Sequence, residues 1–112
     1  GHYNTPGHIN GRLVNFMVDT GAFSVAMNAA EADRIGLGWR NGERFMAGTA
    51  GGGTPGYKVM LNTVSIGNIT LHNIMGAVIV ADTDSDILLG MTFLEKTVMH
   101  EDNNALVLRQ KY

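Results

Sequence analysis

The sequence lacks cysteine and carries little charge of either sign. Without cysteine, the 112-residue chain has no disulfide framework, no thiol nucleophile and no cysteine-ligated zinc. Its eight basic and ten acidic residues give a net charge of −2, so nothing predicts a nucleic-acid surface or a basic membrane patch. The longest apolar run, residues 74–81, is too short to span a bilayer.

The length predicts a single domain over residues 1–112, small enough that a subunit interface would help to stabilise it. No linker or low-complexity segment divides the chain. It opens on Gly1-His2 with no initiator Met. We therefore expect these two residues to be vector-derived, and any signal peptide or membrane anchor to lie outside this sequence.

Short strands separated by turn signals dominate the pattern. Asn10-Gly11 is a strong two-residue hairpin signal and predicts antiparallel strands on either side of it. The predicted strands cover residues 3–9, 12–18, 23–27, 43–50, 57–66, 69–80, 87–90, 98–100 and 106–109. A long mobile hairpin is expected around the glycine-rich residues 51–56.

Two short helices complete the prediction. Asn28 is placed to cap the first, with Glu31 in the capping-box position and Gly36 at its end. The second is a helical turn over residues 92–96. The pattern as a whole predicts one all-β domain with two short helices.

The most informative stretch is an apolar strand that runs into Asp19, Thr20, Gly21 and Ala22. A carboxylate at the end of a buried strand is costly unless it is hydrogen-bonded or has a chemical task. Thr20 offers a hydroxyl that can tie the loop down, and Gly21 permits a sharp turn. Taken alone, these residues could also be only a turn after a strand.

Other motifs give no cofactor or metal site. The glycine-rich run lacks the Gly-Lys-Ser/Thr ending of a phosphate-binding loop, although a floppy surface hairpin stays open as an alternative. Residues 82–86 begin like a calcium loop, but Ile87 and Phe93 stand where glycine and glutamate are needed. We expect a solvated loop there. The four histidines show no metal-ligand spacing.

A family resemblance covers roughly residues 6–108. The order of the Asp19-Thr20-Gly21-Ala22 strand end, a glycine-rich hairpin, Ile87-Leu88-Leu89-Gly90 and a short helix resembles the retropepsin-like aspartic proteases, and looks closest to their single-lobe bacterial members. The resemblance implies a closed single-lobe acid-protease barrel. It also implies a homodimer that hydrolyses polypeptides.

The resemblance assigns roles to individual residues. Asp19 matches the catalytic aspartate, Thr20 the residue that grips the partner subunit's loop, and Gly21 the turn glycine that meets substrate, with Ala22 completing the loop. The expected substrate-binding residues are Phe23, Val25, Ala50, Gly51, Gly52, Gly53 and Leu88, of which Ala50 to Gly53 match the flap tip.

The sequence departs from the retroviral members at two positions. They carry an acid where this chain has Phe23, and an arginine where it has Met91. Those two groups form an ion pair in the retroviral case. We therefore expect a packed contact between Phe23 and Met91 to replace the ion pair.

The implied chemistry needs two copies of the chain, because one copy supplies one such aspartate. Two carboxylates a few ångströms apart cannot both ionise, so they share one proton and activate a water without metal or covalent intermediate. The alternative is a catalytically silent peptide-binding or dimerisation module with the same fold. The resemblance further suggests a periplasmic or inner-membrane-anchored protein.

Overall fold

The computed structural model describes residues 3–48, 52–81, 86–103 and 105–111. Its strands are β1 (Tyr3–Ile9), β2 (Arg12–Val18), β3 (Val25–Asn28), β4 (Glu43–Ala47), β5 (Thr54–Ile66), β6 (Ile69–Ile79), β7 (Ile87–Leu89), β8 (Thr97–Asp102) and β9 (Ala105–Gln110). Its helices are α1 (Ala29–Arg34) and α2 (Met91–Leu94). The predicted all-β fold with two short helices is confirmed.

Six of the strands close into a barrel in the order β1-β2-β7-β3-β6-β5. The barrel closes because β5 pairs back to β1, with His8 opposite Ser65 and Ile9 opposite Val64. Closure leaves few free strand edges, which are the usual sites of unwanted pairing. Strand β4 lies outside the barrel on β5, and β8 and β9 form a separate two-stranded sheet. The predicted closed single-lobe barrel is confirmed.

Local sequence signals set several of the element ends. The β1–β2 turn places Asn10 and Gly11 at φ angles of 51° and 81°, which is the left-handed region that this pair favours. Helix α1 begins after Asn28, whose Oδ1 accepts a 2.8 Å hydrogen bond from the Glu31 N–H. It is followed by Gly36 at a φ of 72°. These predicted turns and caps are confirmed.

The hairpin of β4 and β5 differs from its prediction, because β5 begins at Thr54 and includes Pro55 and Gly56. Pro55 pairs with Met46 on β4. Its carbonyl accepts a hydrogen bond from Val80 N on the other side, toward β6. The missing N–H of Pro55 faces that same side, so the pairing with β4 loses no bond. A proline therefore fits where the sequence predicted only a loop.

The core fills the barrel and the space under α2. Its largest fully buried side chains are those of Phe16, Phe93, Ile9, Leu61, Ile74, Ile87, Leu89 and Leu94. Neither helix is long and apolar enough to cross a membrane, within the residues described. Of the acidic loop at 82–86, only Asp86 is described, and it is exposed.

The single tryptophan, Trp39, contacts an ionisable surface group, the Asp33 carboxylate. Its indole N–H donates a 3.0 Å hydrogen bond to Asp33 Oδ1, to which Arg40 also donates. Arg40 first, and Trp39 second, hold the pKa of the Asp33 carboxyl below its usual value of 3.8. These contacts are therefore complete above that value and are lost as the pH falls through the lower pKa of the folded state.

We expect the fluorescence of Trp39 to stay constant from neutral pH down to about 3.8 and to change below it. Asp33→Asn is expected to show the acid-type emission already at neutral pH. An emission titration of both proteins checks this, with Glu31→Gln as control because Glu31 pairs with Arg34 on the same helix. A wild-type midpoint at or above 3.8 would contradict the assignment.

Candidate active site

The ends of two parallel strands meet at Asp19. Strands β2 and β7 run side by side, with Val18 opposite Leu89. The chain leaves both strands at this point, toward Asp19 on one side and Gly90 on the other. The Asp19 N–H donates a 3.1 Å hydrogen bond to Leu89 O, which extends the pairing by one residue. Asp19 is thus fixed to the barrel by its backbone.

The Asp19 carboxylate is half-buried and held by its own loop. Its Oδ1 accepts a 2.9 Å hydrogen bond from the Gly21 N–H. The backbone carbonyl of Asp19 accepts a second hydrogen bond, from the Ala22 N–H at 3.2 Å. Within the described part of the chain, Oδ2 accepts no hydrogen bond and Asp19 forms no ion pair. One carboxylate oxygen is therefore oriented by the backbone while the other is left for a ligand.

The loop after Asp19 is tied to the segment that follows β7. Met91 N donates to Ala22 O at 2.9 Å, and Thr92 N donates to Phe23 O at 3.0 Å. Gly90 makes this approach possible, since a Cβ there would lie against Ser24 O and 2.7 Å from Ala22 O. These contacts join the two loops into one hydrogen-bonded unit next to Asp19.

The Thr92 hydroxyl joins three elements beneath this unit. It accepts a 3.3 Å hydrogen bond from Val25 N on β3 and donates a 2.8 Å bond to Met75 O on β6. Because it sits at the start of α2, it links that helix to both strands. Thr92 is a supporting residue that the sequence analysis did not identify.

A groove of about 320 Å³ adjoins the site on the side of the β8–β9 hairpin. It is lined by Thr20 and Val18 from the site side and by Met99, His100 and Leu106 from the hairpin, together with Tyr3 and Glu101. The Tyr3 hydroxyl donates a 2.6 Å hydrogen bond to Glu101 Oε1, and this contact raises the pKa of Tyr3. The hairpin therefore lies beside the loop that carries Thr20.

Comparison with known proteins agrees with this geometry. Residues 5–96 match the family model described as "gag-polyprotein putative aspartyl protease". The crystal structure of a retropepsin-like aspartic protease from Rickettsia conorii superposes with a TM-score of 0.84 and 31% identity, covering 98% of this chain and 83% of that one. The chain belongs to the retropepsin-like aspartic protease family.

Two further solved structures share the fold. The retroviral protease-like domain of Ddi1 from Leishmania major is 25% identical with a TM-score of 0.63, covering 96% of this chain and 87% of that one. EIAV protease, complexed with the inhibitor HBY-793, is 19% identical with a TM-score of 0.62, and the match covers 85% of this chain and 86% of that one. At 19% identity, the likeness to EIAV protease concerns the fold alone.

Curated relatives of this retropepsin-like chain are longer proteins. An uncharacterized protein in the cobV 5′ region of Sinorhizobium sp. is 39% identical over 101 residues, which are 88% of this chain and 43% of the relative. The uncharacterized protein RP867 of Rickettsia prowazekii is 33% identical over 97 residues, which are 86% of this chain and 41% of the relative. The chain thus spans less than half the length of these two relatives.

The structure corrects the expectations for Phe23 and Val25. The Phe23 side chain is 81% exposed, so neither Met91 nor any other described part of the chain covers most of its ring. Two backbone hydrogen bonds, from Met91 N to Ala22 O and from Thr92 N to Phe23 O, hold this part of the chain instead. Val25 is 0% exposed and lies in the core, so its side chain has no surface to offer a peptide. Burial depends on the three-dimensional packing, which the motif spacing does not contain.

The other predicted residues lie as follows. Thr20 is exposed, and its hydroxyl has no hydrogen-bond partner among the described residues, so it does not tie the loop down. Leu88 is half-buried in the middle of β7, opposite Met17. Gly52 and Gly53 are exposed at the start of the segment that leads into β5, whereas Ala50 and Gly51 lie outside the described residues. Their substrate-binding roles stay predictions.

Proposed function

We propose that this chain is an aspartic endopeptidase that acts as a homodimer, with one Asp19 from each copy. The observation that carries the proposal is the Asp19 carboxylate at the joined ends of β2 and β7. Gly21 orients one oxygen at 2.9 Å, while the other has no partner in the described chain. An acid fixed in this way suits a shared dyad, because a dyad needs each carboxylate in a defined direction.

The reaction follows from two such carboxylates sharing one proton. The ionised carboxylate takes a proton from a water, whose oxygen attacks the scissile carbonyl carbon, while the protonated carboxyl gives its proton to the carbonyl oxygen. In the collapse of the resulting tetrahedral diol, the carboxyl that took the proton of water gives it to the amide nitrogen, one diol hydroxyl gives its proton to the other carboxylate, and the C–N bond breaks. The products are a carboxylic acid and an amine, and the dyad again holds one proton.

The substrate is an extended polypeptide bound between the dyad and the β4–β5 hairpin. A strand-like peptide can pair with backbone groups of this glycine-rich hairpin. Leu88 would line the apolar subsites next to the scissile bond. Phe23 is held near the dyad by its carbonyl bond to Thr92 N, and its exposed ring would meet side chains farther along the peptide. The periplasmic or membrane-anchored location stays a prediction.

The β8–β9 hairpin is the surface that a second copy would cover. Its two strands pair only with each other among the described strands, and a lone two-stranded sheet is marginally stable in water. Val98 and Val107 are 37% and 46% exposed on the same side of the hairpin. The groove between this hairpin and Thr20 would admit the partner beside the exposed Thr20 hydroxyl.

We expect Val107→Asp to weaken the dimer by roughly ten- to a hundredfold, because it places a charge in an apolar interface. Sedimentation analysis over a range of concentrations measures the change. Leu13→Asp is the control, since Leu13 is 61% exposed near the start of β2, at the end of that strand away from Asp19. Equal dimer affinities of the two variants would exclude this surface.

Cleavage of casein from acid to neutral pH, with and without pepstatin, tests the proposed activity together with the oligomeric state from gel filtration. The proposal expects pepstatin-sensitive cleavage by a dimer. A stable dimer without cleavage would instead indicate the silent binding module. A chain that stays monomeric at all concentrations would refute the proposal, because half a dyad cannot perform this chemistry.

A further inference from the structure

A cluster of four side chains connects helix α1 to the base of the β4–β5 hairpin. Trp39 is buried, and its ring centre lies 5.1 Å from that of Tyr57 on β5. The Arg40 guanidinium carbon stands 4.3 Å from the centre of the Trp39 ring, within range of a cation–π contact. With Asp33 on α1, these residues form what we call the hairpin anchor.

Asp33 organises the hairpin anchor through three hydrogen bonds. Its Oδ1 accepts from the Trp39 indole at 3.0 Å and from Arg40 Nη1 at 3.1 Å, and its Oδ2 accepts from Arg40 Nη2 at 3.2 Å. The two-pronged bond from Arg40 fixes the plane of the guanidinium group. Arg40 and Asp33 thus hold the Trp39 ring from its face and from its edge.

The chain passes directly from the hairpin anchor into the hairpin. Gly42 N donates a 3.0 Å hydrogen bond to Trp39 O, which turns the chain into β4. Gly42 lies so close to the Lys58 carbonyl that no Cβ would fit. The next residue, Glu43, pairs with Lys58, and Tyr57 pairs with Arg44. The anchor therefore sits where β4 begins its pairing with β5, whose residues 56–58 are also paired with β6.

The position of β4 depends on this base, because β4 pairs with no other described strand than β5. We propose that Asp33 and Arg40 are positioning residues. Acting through Trp39 and Tyr57, they fix the position of β4 against β5 and so the placement of the β4–β5 hairpin over a bound peptide. This inference rests on the proposed peptidase function.

A purely stabilising role fits the cluster less well. The Asp33 and Arg40 side chains are 48% and 68% exposed, and exposed ion pairs contribute little to global stability. The matched pair of Glu31 and Arg34 lies on the same helix, with hydrogen bonds of 2.7 and 2.8 Å, and neither side chain hydrogen-bonds to Trp39 in the described chain. Comparing the two pairs separates loss of an ion pair from loss of the anchor.

The test compares Asp33→Asn with Glu31→Gln in the whole chain. In Asp33→Asn, we expect amide hydrogen exchange in residues 43–47 and 54–58 to become about tenfold faster. We also expect KM for a peptide substrate to rise about three- to tenfold with kcat within about twofold, because binding and not chemistry depends on the hairpin. Glu31→Gln should change neither quantity.

Arg40→Lys provides the second variant, because it keeps the charge but loses the two-pronged bond. It should show the same changes more weakly, and it replaces Asp33→Asn if that variant fails to fold. Identical exchange in the Asp33 and Glu31 variants would overturn the inference, as would faster exchange with an unchanged KM. Hydrogen exchange needs no catalysis, so an inactive wild type would refute the proposed function without touching the exchange result.

Discussion

Asp19→Asn is expected to lower kcat by at least about a thousandfold, because an amide can neither accept the proton of water nor share one with its partner. The fold should survive the change. Asparagine has nearly the same shape, and its Oδ1 can still accept the hydrogen bond that Gly21 N gives to Asp19. The loss is therefore predicted to be chemical and not structural.

Measurement of kcat and KM on a peptide found by library digestion checks this prediction, with the melting temperature as the test of folding. Asp86→Asn is the matched control, since Asp86 is an exposed acid just before β7. It should keep wild-type activity. An Asp19→Asn protein that cleaves as fast as the wild type would remove Asp19 from the mechanism.

Gly90→Ala should have the second largest effect, and for a steric reason. The backbone of Gly90 is extended, with φ −95° and ψ −167°, a conformation that alanine also adopts. The added Cβ, however, would press on Ser24 O and lie 2.7 Å from Ala22 O. Relief of this overlap requires the loop after Asp19 to separate from the segment after β7. The orientation of the Asp19 carboxylate would be lost with it.

We expect Gly90→Ala to destabilise the fold by about 3 kcal/mol and to lower kcat/KM by at least about a hundredfold. Thermal unfolding and steady-state kinetics measure the two effects. Gly38→Ala serves as control, because, apart from its two chain neighbours, no described residue has an atom within 4 Å of a Cβ at Gly38. The account of the site would be wrong if the two alanine variants behaved alike.

Much of the fold could be predicted because its signals are local. The Asn10-Gly11 turn and the Asn28 cap each act on residues a few positions away, and both lie where the sequence placed them. Barrel closure followed from the family resemblance and not from local pattern.

The parts that could not be predicted depend on distant contacts. Thr92 supports the site through Met75, 17 residues away in sequence, and a threonine in a helical turn carries no local sign of such a bond. The exposure of Phe23 and the burial of Val25 depend on which neighbours the folded chain brings to each. The same holds for Trp39, whose partner Tyr57 lies on another element.

The central claim is that two copies each supply one Asp19, and mixing wild type with Asp19→Asn tests it most directly. After exchange of subunits in an equal mixture, only about a quarter of the dimers would carry two aspartates, so activity per wild-type chain should fall to about half. Excess Asp19→Asn should suppress it further. Activity that depends only on the amount of wild-type chain, however much Asp19→Asn is added, would contradict the shared dyad.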